Sequence, residues 1–273
     1  MGRIDTPMTF RTRTATLADY PAFVRSFMRL RVPDPIPTAA TFAARVLPRV
    51  VMLIDQGGAP VGYASWRFYG RTAHVVHVVV DPHVQQRGGG RALMNEVRER
   101  VAAEGCARWY LNVKQDNAPA IRLYERSGMA IEQEGWAVDL EWLHATELPD
   151  DWDAGGQAPF APTADEDAGI AACLGVDVER IAYLRAQSGI VLRALREGGA
   201  PVAFAAFDPA YPSIYPFRVT RVGLARALLD AFRPQARHPN VHVVVEGNRA
   251  AADALRGVGG QLGHATFRMA GVL

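Results

Sequence analysis

Two segments of the chain are near copies of each other, and this internal repeat constrains the fold more than any other feature of the sequence. The segment 55–66 reads DQGGAPVGYASW, and the segment 196–207 reads REGGAPVAFAAF. Each is typical of a strand, a Gly-Gly turn and a second strand, so each predicts a β-hairpin.

Two further matches follow in the same order and at nearly the same spacing. The segment 117–128, NAPAIRLYERSG, corresponds to 248–259, NRAAADALRGVG, and 88–93 corresponds more faintly to 223–228. In the stronger match, an apolar strand leads into a short amphipathic helix that ends at glycine. Three matches in one order are hard to obtain by chance, so we predict two copies of one α/β unit.

A stretch rich in Pro, Gly and Asp separates the two copies and has the composition of a linker. We therefore predict a first domain at 1–148, a linker at 149–165 and a second domain at 166–273. The length of 273 residues agrees with two domains, at roughly 150 residues per domain. Hydrophobic residues make up 49% and charged residues 21%, which indicates a buried core in place of disorder.

Composition also excludes several classes of protein. The net charge of +2 gives little support for binding nucleic acid. Apolar stretches stay well below the ~18 residues that a membrane span needs, and residues 1–10 lack the apolar core of a secretion signal. Cys106 and Cys173 alone make neither a disulfide framework nor a zinc site. We expect a reduced, cytoplasmic monomer or homodimer with no metal and no nucleic-acid or membrane partner.

The first copy alternates strands and helices, which implies at least one parallel pair of strands. We predict strands at 10–14, 73–80, 109–113 and 131–142, the hairpin, and helices at 19–30, 38–47, 90–104 and 118–127.

The segment 78–93, VVVDPHVQQRGGGRAL, carries the clearest sign of a binding site. A buried strand ends at Pro82, three glycines form a turn, and a helix begins. Glycines allow close approach of a ligand, and the free N–H groups of a helix start favour a phosphate or pyrophosphate. Arg87 and Arg91 could add charged hydrogen bonds. A tight turn without a ligand is the alternative, since neither a Rossmann nor a Walker signature is present.

Paired with a second motif, this segment resembles the GNAT family of acyl-CoA-dependent N-acetyltransferases. The run Gln85–Gly90, QQRGGG, fits the family signature Gln/Arg-x-x-Gly-x-Gly/Ala. The run Asp116–Met129 resembles the motif Asn-x-x-Ala-x-x-x-Tyr-x-x-x-Gly-Phe, with Met129 in place of Phe. The resemblance implies two tandem α/β domains, each a mixed, mostly antiparallel sheet with helices on both faces. It also implies a central parallel strand pair that splays apart around acetyl-CoA.

The resemblance further implies the roles of individual residues. The strand would line the pantetheine arm, the turn would wrap the pyrophosphate, and the second motif would fix the cleft. The implied cofactor contacts are Val78, Val79, Val80, Gln85, Gln86, Arg87, Gly88, Gly89, Gly90, Arg91, Asn117, Ala120, Tyr124 and Arg126.

Transfer of an acyl group to an amine is assisted by an oxyanion stabiliser, a general acid and a general base. A strand amide near Val78 or Val80 can stabilise the oxyanion, and the phenol of Tyr124 can act as general acid. His74 occupies the family's frequent base position, and a histidine titrates near neutrality. Alternation places His74 on the face of Val78 and Val80, and His77 on the other face. Packing roles, or a water chain as the base, remain alternatives.

Other residues of the first copy also allow two interpretations. Asn117 can cap its helix, contact the ligand or do both. Three aromatic residues after the hairpin could line the acceptor pocket or pack in the core, namely Trp66, Phe68 and Tyr69.

The second copy has lost most of the signature. Thr220 stands where Gln85 does, Leu255 replaces Tyr124, and 211–217, YPSIYPF, is poor strand material. We predict that this half keeps the fold and lacks catalysis. It could complete the acceptor pocket of the first half or be a fold relic, and residual CoA binding there is an open alternative.

The sequence thus predicts an acetyltransferase that moves an acetyl or other short acyl group from acetyl-CoA to a primary amine of a small molecule or peptide. One alternative is a non-catalytic acyl-CoA sensor or scaffold. Another is a nucleotide-binding module that prefers ATP or NAD.

Overall fold

The computed structural model describes residues 9–30, 35–153, 155 and 157–273. Residues 1–8, judged above for a secretion signal, and linker positions 154 and 156 lie outside the described residues. The chain forms two compact units. The first comprises Met1–Val113, Asn117–Ala130 and Met269–Leu273, and the second comprises Lys114–Asp116 and Ile131–Arg268.

The described residues of the first unit form strands and helices in the alternating order that the sequence predicts. They are β1 (Arg11–Thr14), α1 (Tyr20–Phe27), α2 (Ala39–Thr41), β2 (Val50–Ile54), β3 (Pro60–Tyr69), β4 (Thr72–Val80), α3 (Gly89–Ala103), β5 (Arg108–Lys114) and α4 (Ala118–Arg126). The predicted helix at 38–47 is α2 followed by a turn of π-helix at Phe42–Val46.

The strands of the first unit lie in the order β1-β2-β3-β4-β5. All neighbours are antiparallel except β4 and β5, which are parallel. Helices cover both faces. On one face, Phe23 and Phe27 of α1 pack with Met52 and Tyr63 in a buried cluster. On the other face, α3 begins directly against Leu53 of β2. This arrangement confirms the mixed α/β class with helices on both sides of the sheet.

The second unit repeats the hairpin, helix, strand and helix of the first. Its elements are β6 (Ala130–Glu141), α5 (Asp167–Leu174), α6 (Val178–Arg185), β7 (Val191–Glu197), β8 (Ala200–Asp208), β9 (Ser213–Val219), α7 (Ala225–Asp230), β10 (Asn240–Glu246), α8 (Arg249–Gly257) and β11 (Gln261–Val272). The strands lie in the order β11-β6-β10-β9-β8-β7, and β9 and β10 are parallel. No helix in the described part of the chain has the length and apolar character of a membrane span.

The expectation that 211–217 is poor strand material is wrong, because Ser213–Val219 forms β9. The pairing register of β9 shifts between Ile214 and Phe217 on both sides of the strand. Proline is tolerated at such an irregularity because its missing N–H is not needed for the ladder there. Pro216 lies within this shift, which explains how a strand forms around it.

Each compact unit combines segments that are distant in sequence, whereas the predicted domains are continuous; the predicted boundaries stay a prediction. Strand β6 belongs mostly to the second unit, because it pairs with β10 from Asn240↔Glu141 to Glu246↔Gly135. The segment Met269–Leu273 belongs to the first unit, where the N–H of Leu273 donates to the carbonyl of Ala107 at 3.1 Å. The sequence repeat cannot reveal such exchanges, because strand pairing between distant segments leaves no local signal.

Candidate functional site

Strands β4 and β5 separate after a short paired stretch. They pair from Thr72↔Arg108 to His74↔Tyr110, and no later pair joins them among the described residues. Strand β3 still holds β4 as far as Gly62↔Val80. The two parallel strands therefore open into a wedge whose apex lies at His74 and Tyr110.

The outer part of β4 turns its backbone groups into this wedge. The N–H of Asp81 donates to the carbonyl of Val61 on β3 at 2.8 Å. Successive residues of a strand direct their backbone groups to opposite sides, so Val80 and Val78 direct theirs toward the gap. The side-chain amide of Gln85 donates to the carbonyl of Val80 at 2.9 Å. Gln85 thus holds the turn against the end of β4.

The glycines of the turn between β4 and α3 meet two different structural requirements. Gly88 has a φ of +99°, a left-handed conformation that favours glycine, and a Cβ there would meet nothing within 4 Å. A Cβ on Gly89 would lie 2.8 Å from Leu53, and one on Gly90 would lie 2.8 Å from Leu123. The start of α3 is therefore pressed between β2 and α4, with its first N–H groups lacking intrahelical acceptors.

A cleft of about 860 Å³ runs along the wedge and the turn, a volume suited to a large organic ligand. Eleven of the predicted cofactor residues line it, namely Val78, Val80, Gln85, Gln86, Gly88, Gly90, Arg91, Asn117, Ala120, Tyr124 and Arg126. Three predicted residues do not. Val79 packs in the cluster under α1, Gly89 packs on Leu53, and Arg87 is exposed outside the lining.

The described lining of the cleft is positively charged, because it contains Arg91, Arg122 and Arg126 and no acidic residue. The sequence reasoning missed Arg122. The sequence spacing indicates a role for Arg122, because Arg122 and Arg126 are four residues apart on α4 and therefore share a face of that helix. Together with the start of α3, these guanidinium groups favour an anionic ligand.

Helix α4 supplies the cap and the phenol that the second motif predicts. The side-chain oxygen of Asn117 accepts a hydrogen bond from the N–H of Ala120 at 3.3 Å, so Asn117 caps the helix. Tyr124 lines the cleft and is only 8% exposed. Burial raises the pKa of Tyr124 to about 12, so its hydroxyl stays protonated at neutral pH. Met129, at the usual Phe position, is buried.

Comparison with known proteins agrees with this geometry. The model of the GNAT acetyltransferase family matches residues 20–129. This segment is a GNAT domain. It contains the end of β4, the glycine turn, the start of α3 and α4, and residues of these elements line the cleft.

Two solved structures share the fold of nearly the whole chain. A GCN5-related N-acetyltransferase from Sphaerobacter thermophilus is 19% identical with a TM-score of 0.63, over 96% of this chain and 95% of that one. An acetyltransferase described as putative from Pyrococcus horikoshii is 19% identical with a TM-score of 0.65, over 97% of this chain and 89% of that one. At this identity, the likeness concerns the fold alone.

A curated relative matches a shorter stretch of this chain. The [ribosomal protein bS18]-alanine N-acetyltransferase of Escherichia coli is 33% identical over 75 residues, which is 28% of this chain. The match spans about half of that relative's length, 51%.

The two histidines on β4 of the GNAT domain do not face opposite sides of the sheet, as strand alternation predicted. The pairing shifts from Ser65↔His77 to Trp66↔Val75, so β4 carries one extra residue at a bulge. His74 then pairs with Arg67, which shares the face of Ser65. His74 therefore shares the face of His77 and not that of Val78 and Val80.

His74 lies at the apex of the wedge between aromatic rings. It stacks on Tyr110 with ring centroids 4.5 Å apart and planes 5° apart, and Tyr69 stacks at 6.1 Å. Tyr110 is fully buried and was not singled out from the sequence. Only the register of β4 on β5 brings Tyr110 beside His74, and sequence periodicity does not report that register.

His77 has the surroundings of a neutral packing residue. Its Nδ1 lies 3.2 Å from the hydroxyl of Tyr63 and 3.4 Å from that of Ser65, and its ring meets Phe27 edge-on. Burial, and to a lesser degree Arg67, lowers the pKa of His77 to about 4. Its ring is therefore a weak proton acceptor at neutral pH.

The three aromatic residues predicted for the acceptor pocket differ in burial. Trp66 and Tyr69 are buried, whereas the half-buried ring of Phe68 carries the guanidinium of Arg49 at 4.8 Å. Their role toward an acceptor stays a prediction.

Proposed function

We propose that the GNAT domain binds acetyl-CoA in the cleft and transfers the acetyl group, or another short acyl group, directly to a primary amine. The observation that carries this proposal is the wedge between β4 and β5, which opens beside a glycine turn and an arginine-lined cleft. A ligand with an extended hydrogen-bonding arm and a diphosphate suits this combination.

The residues of the cleft fit such a ligand part by part. The backbone groups of Val78 and Val80 would bind the arm, and the N–H groups from Gln86 to Arg91 would bind the diphosphate. The left-handed Gln86 and Gly88 allow these N–H groups to converge. Arg122 and Arg126 would neutralise phosphate charge from α4.

When bound, acetyl-CoA would supply the thioester carbonyl that the amine attacks. Tyr124 holds a proton at its hydroxyl oxygen and can donate it to a departing group. The amides of β4 that face the wedge can donate hydrogen bonds to a developing negative charge. His74, at the apex of the wedge, is the histidine that could accept a proton from the attacking ammonium.

The acceptor class is a primary amine on a small molecule or a peptide. The curated relative carries an alanine of a ribosomal protein in its name, and it matches this chain over half its own length. A peptide that begins with alanine therefore belongs in any acceptor panel, beside amino acids, polyamines and aminoglycosides.

The test is an acceptor screen with the full chain and acetyl-CoA, in which thiol release gives the rate and mass spectrometry identifies the product. Amine-dependent thiol release with an acetylated product supports the proposal. Tight CoA binding with no product from any amine would instead support a sensor or scaffold. Preference for ATP or NAD over CoA would contradict the assignment of the cleft.

A further inference from the structure

The second unit contains a turn that corresponds to the cofactor turn of the first. It leads from β9 to α7, with Gly223 in the place of Gly88 and Ala225 in the place of Gly90. The surroundings of the two glycines differ. A Cβ on Gly88 would meet nothing within 4 Å, and Gly88 lines the cleft.

At Gly223, a carboxylate of the chain itself lies on the turn. A Cβ on Gly223 would lie 2.1 Å from Cγ and Oδ1 of Asp151 and 2.4 Å from its Oδ2. The N–H of Asp151 also donates to the carbonyl of Gly223 at 3.2 Å. The side chain of Asp151 therefore fills the space that only a glycine leaves free.

Two arginines of the turn pair with Asp150 and Asp151, and Arg221 also donates to the carboxylate of Glu197 at 2.7 and 2.8 Å. The Nε of Arg221 donates to Oδ1 of Asp151 at 3.0 Å, and its Nη2 donates to the Asp151 carbonyl at 3.1 Å. The Nε of Arg226, which corresponds to Arg91, lies 3.9 Å from a carboxylate oxygen of Asp150. The second turn thus holds a carboxylate of the chain itself beside its glycine and its guanidinium groups, whereas Gly88 of the first turn faces open space.

The parallel strands beyond this turn are also joined by the chain's own groups. β9 and β10 stay paired as far as Val245↔Phe217, close to their ends. Just beyond, Nη1 of Arg218 donates to the carbonyl of Glu246 at 2.9 Å and so links the two strands. Arg218 occupies the position equivalent to Val79 of β4, since Val219 pairs with Ala203 as Val80 pairs with Gly62.

A buried ion cluster fixes this link. The carboxylate of Glu246, 4% exposed, accepts hydrogen bonds from Arg180 and Arg218 at 3.3 Å and from Arg268 at 2.8 Å. The hydroxyl of Tyr215 donates to the same carboxylate at 3.2 Å. Opening the strands into a wedge would expose or separate these charges, which is costly.

We propose that side chains of the second unit take the places that the cofactor takes in the first unit. Asp151 lies on the turn, and Glu246 joins the ends of the parallel strands. The second unit then binds no CoA, and the chain binds one CoA. The count of one rests on the proposed function of the first unit.

The first experiment counts CoA sites on the full chain by isothermal titration calorimetry. We expect one site, and we expect the Gly88→Trp variant to bind none. Two sites, or residual binding in Gly88→Trp, would overturn the inference. No binding to the unaltered chain would contradict the proposed function of the first unit while agreeing with a second unit that binds no CoA.

The second experiment removes the occupant of the turn. In the Gly88→Trp background, inorganic pyrophosphate should leave the melting temperature unchanged. With Asp151→Ala added, millimolar pyrophosphate should raise it by about 2–4 °C as the anion replaces the carboxylate. Asp153→Ala, a linker aspartate that does not contact Gly223, is the matched control and should give no shift.

The absence of a shift with Asp151→Ala would overturn the role of Asp151 as occupant. An equal shift with Asp153→Ala would overturn it as well, because the response would then not depend on the turn. Should Asp151→Ala fail to fold, Asp151→Ser removes the charge and the terminal atoms that lie on Gly223, and the same pyrophosphate shift is expected.

Discussion

The parallel strand pairs β4–β5 and β9–β10 begin alike and end differently. In the first unit, β4 and β5 separate after His74↔Tyr110 and leave a cleft lined by arginines and a tyrosine. In the second, β9 and β10 stay together to Val245↔Phe217, and Arg218 bonds across their ends. The same order of strands and helices therefore gives an open wedge in one unit. In the other unit it gives a parallel pair whose ends are joined by hydrogen bonds and ion pairs. In the closed pair, the side chain of Arg218 on β9 bonds to Glu246 on β10.

The largest expected effect comes from closing the first wedge at its turn. In Gly88→Trp, a bulky side chain enters the cleft from a backbone position with a φ of +99°, so CoA binding should fall below detection by calorimetry. Gly105→Trp is the matched control, because Gly105 has a φ of +78° and equally open space but does not line the cleft. Unchanged CoA affinity in Gly88→Trp would place the cofactor elsewhere.

The buried ion cluster around Glu246 should be more sensitive to the loss of a charge than an exposed ion pair is. Glu246→Gln leaves three buried arginines without their anion and should cost about 3–5 kcal/mol of the free energy of unfolding, measured in urea. Glu134→Gln is the control, because Glu134 pairs with the exposed Arg249; we expect at most about 1 kcal/mol from it. Equal losses of unfolding free energy in the two variants would contradict the role given to Glu246 and its three arginines.

The same carboxylate predicts how stability depends on pH. Burial would raise the pKa of Glu246, but Arg180, Arg268 and Arg218 outweigh it and hold that pKa at about 2. A pKa below its unfolded value stabilises the folded chain above that unfolded value, and this contribution is lost as pH falls through the folded value. Stability should therefore decrease from about pH 4.5 toward pH 2. This decrease should be shallower in Glu246→Gln, as acid titrations followed by circular dichroism would measure.

Catalysis by the first unit should depend on the hydroxyl that the second unit lacks at Leu255. Tyr124→Phe keeps the ring and removes the proton donor, so kcat should fall by about 10²-fold while CoA affinity changes little. Tyr183→Phe, in α6 of the second unit, removes a hydroxyl outside the cleft and should retain the full rate. Steady-state kinetics and calorimetry separate the two quantities, and a full rate in Tyr124→Phe would remove it from the mechanism.

The smallest expected effect concerns the rim of the cleft. Arg126→Ala removes one guanidinium from the proposed phosphate contacts and should raise the KM for acetyl-CoA by about 10-fold with kcat unchanged. The effect should shrink at high salt, because exposed charges are screened. Arg256→Ala on α8, the corresponding helix of the second unit, is the control and should leave KM unchanged.

Local patterns in the sequence predict much of the first unit. The hairpin, α3, α4 and the glycine turn follow from turn residues, apolar periodicity and caps such as Asn117. The family resemblance then selects most of the residues that line the cleft. These signals succeed because each resides within a short stretch of chain.

The errors come from properties that involve two distant segments. The bulge that brings His74 to the face of His77 exists only in the register of β4 on β3. The strand around Pro216 is accommodated by shifted pairing with both neighbours. The position of Asp151 on Gly223 joins the linker to a turn more than seventy residues later. Single-segment periodicity carries no information about any of these.

The membership of Met269–Leu273 in the first unit has a practical consequence. A fragment cut at the linker would lack this segment, and the complementary fragment would lack Ile131–Leu148, whose strand borders β10. We therefore expect that neither half of the repeat folds completely when it is expressed alone. Catalysis by the first unit is therefore best studied in the uncut polypeptide.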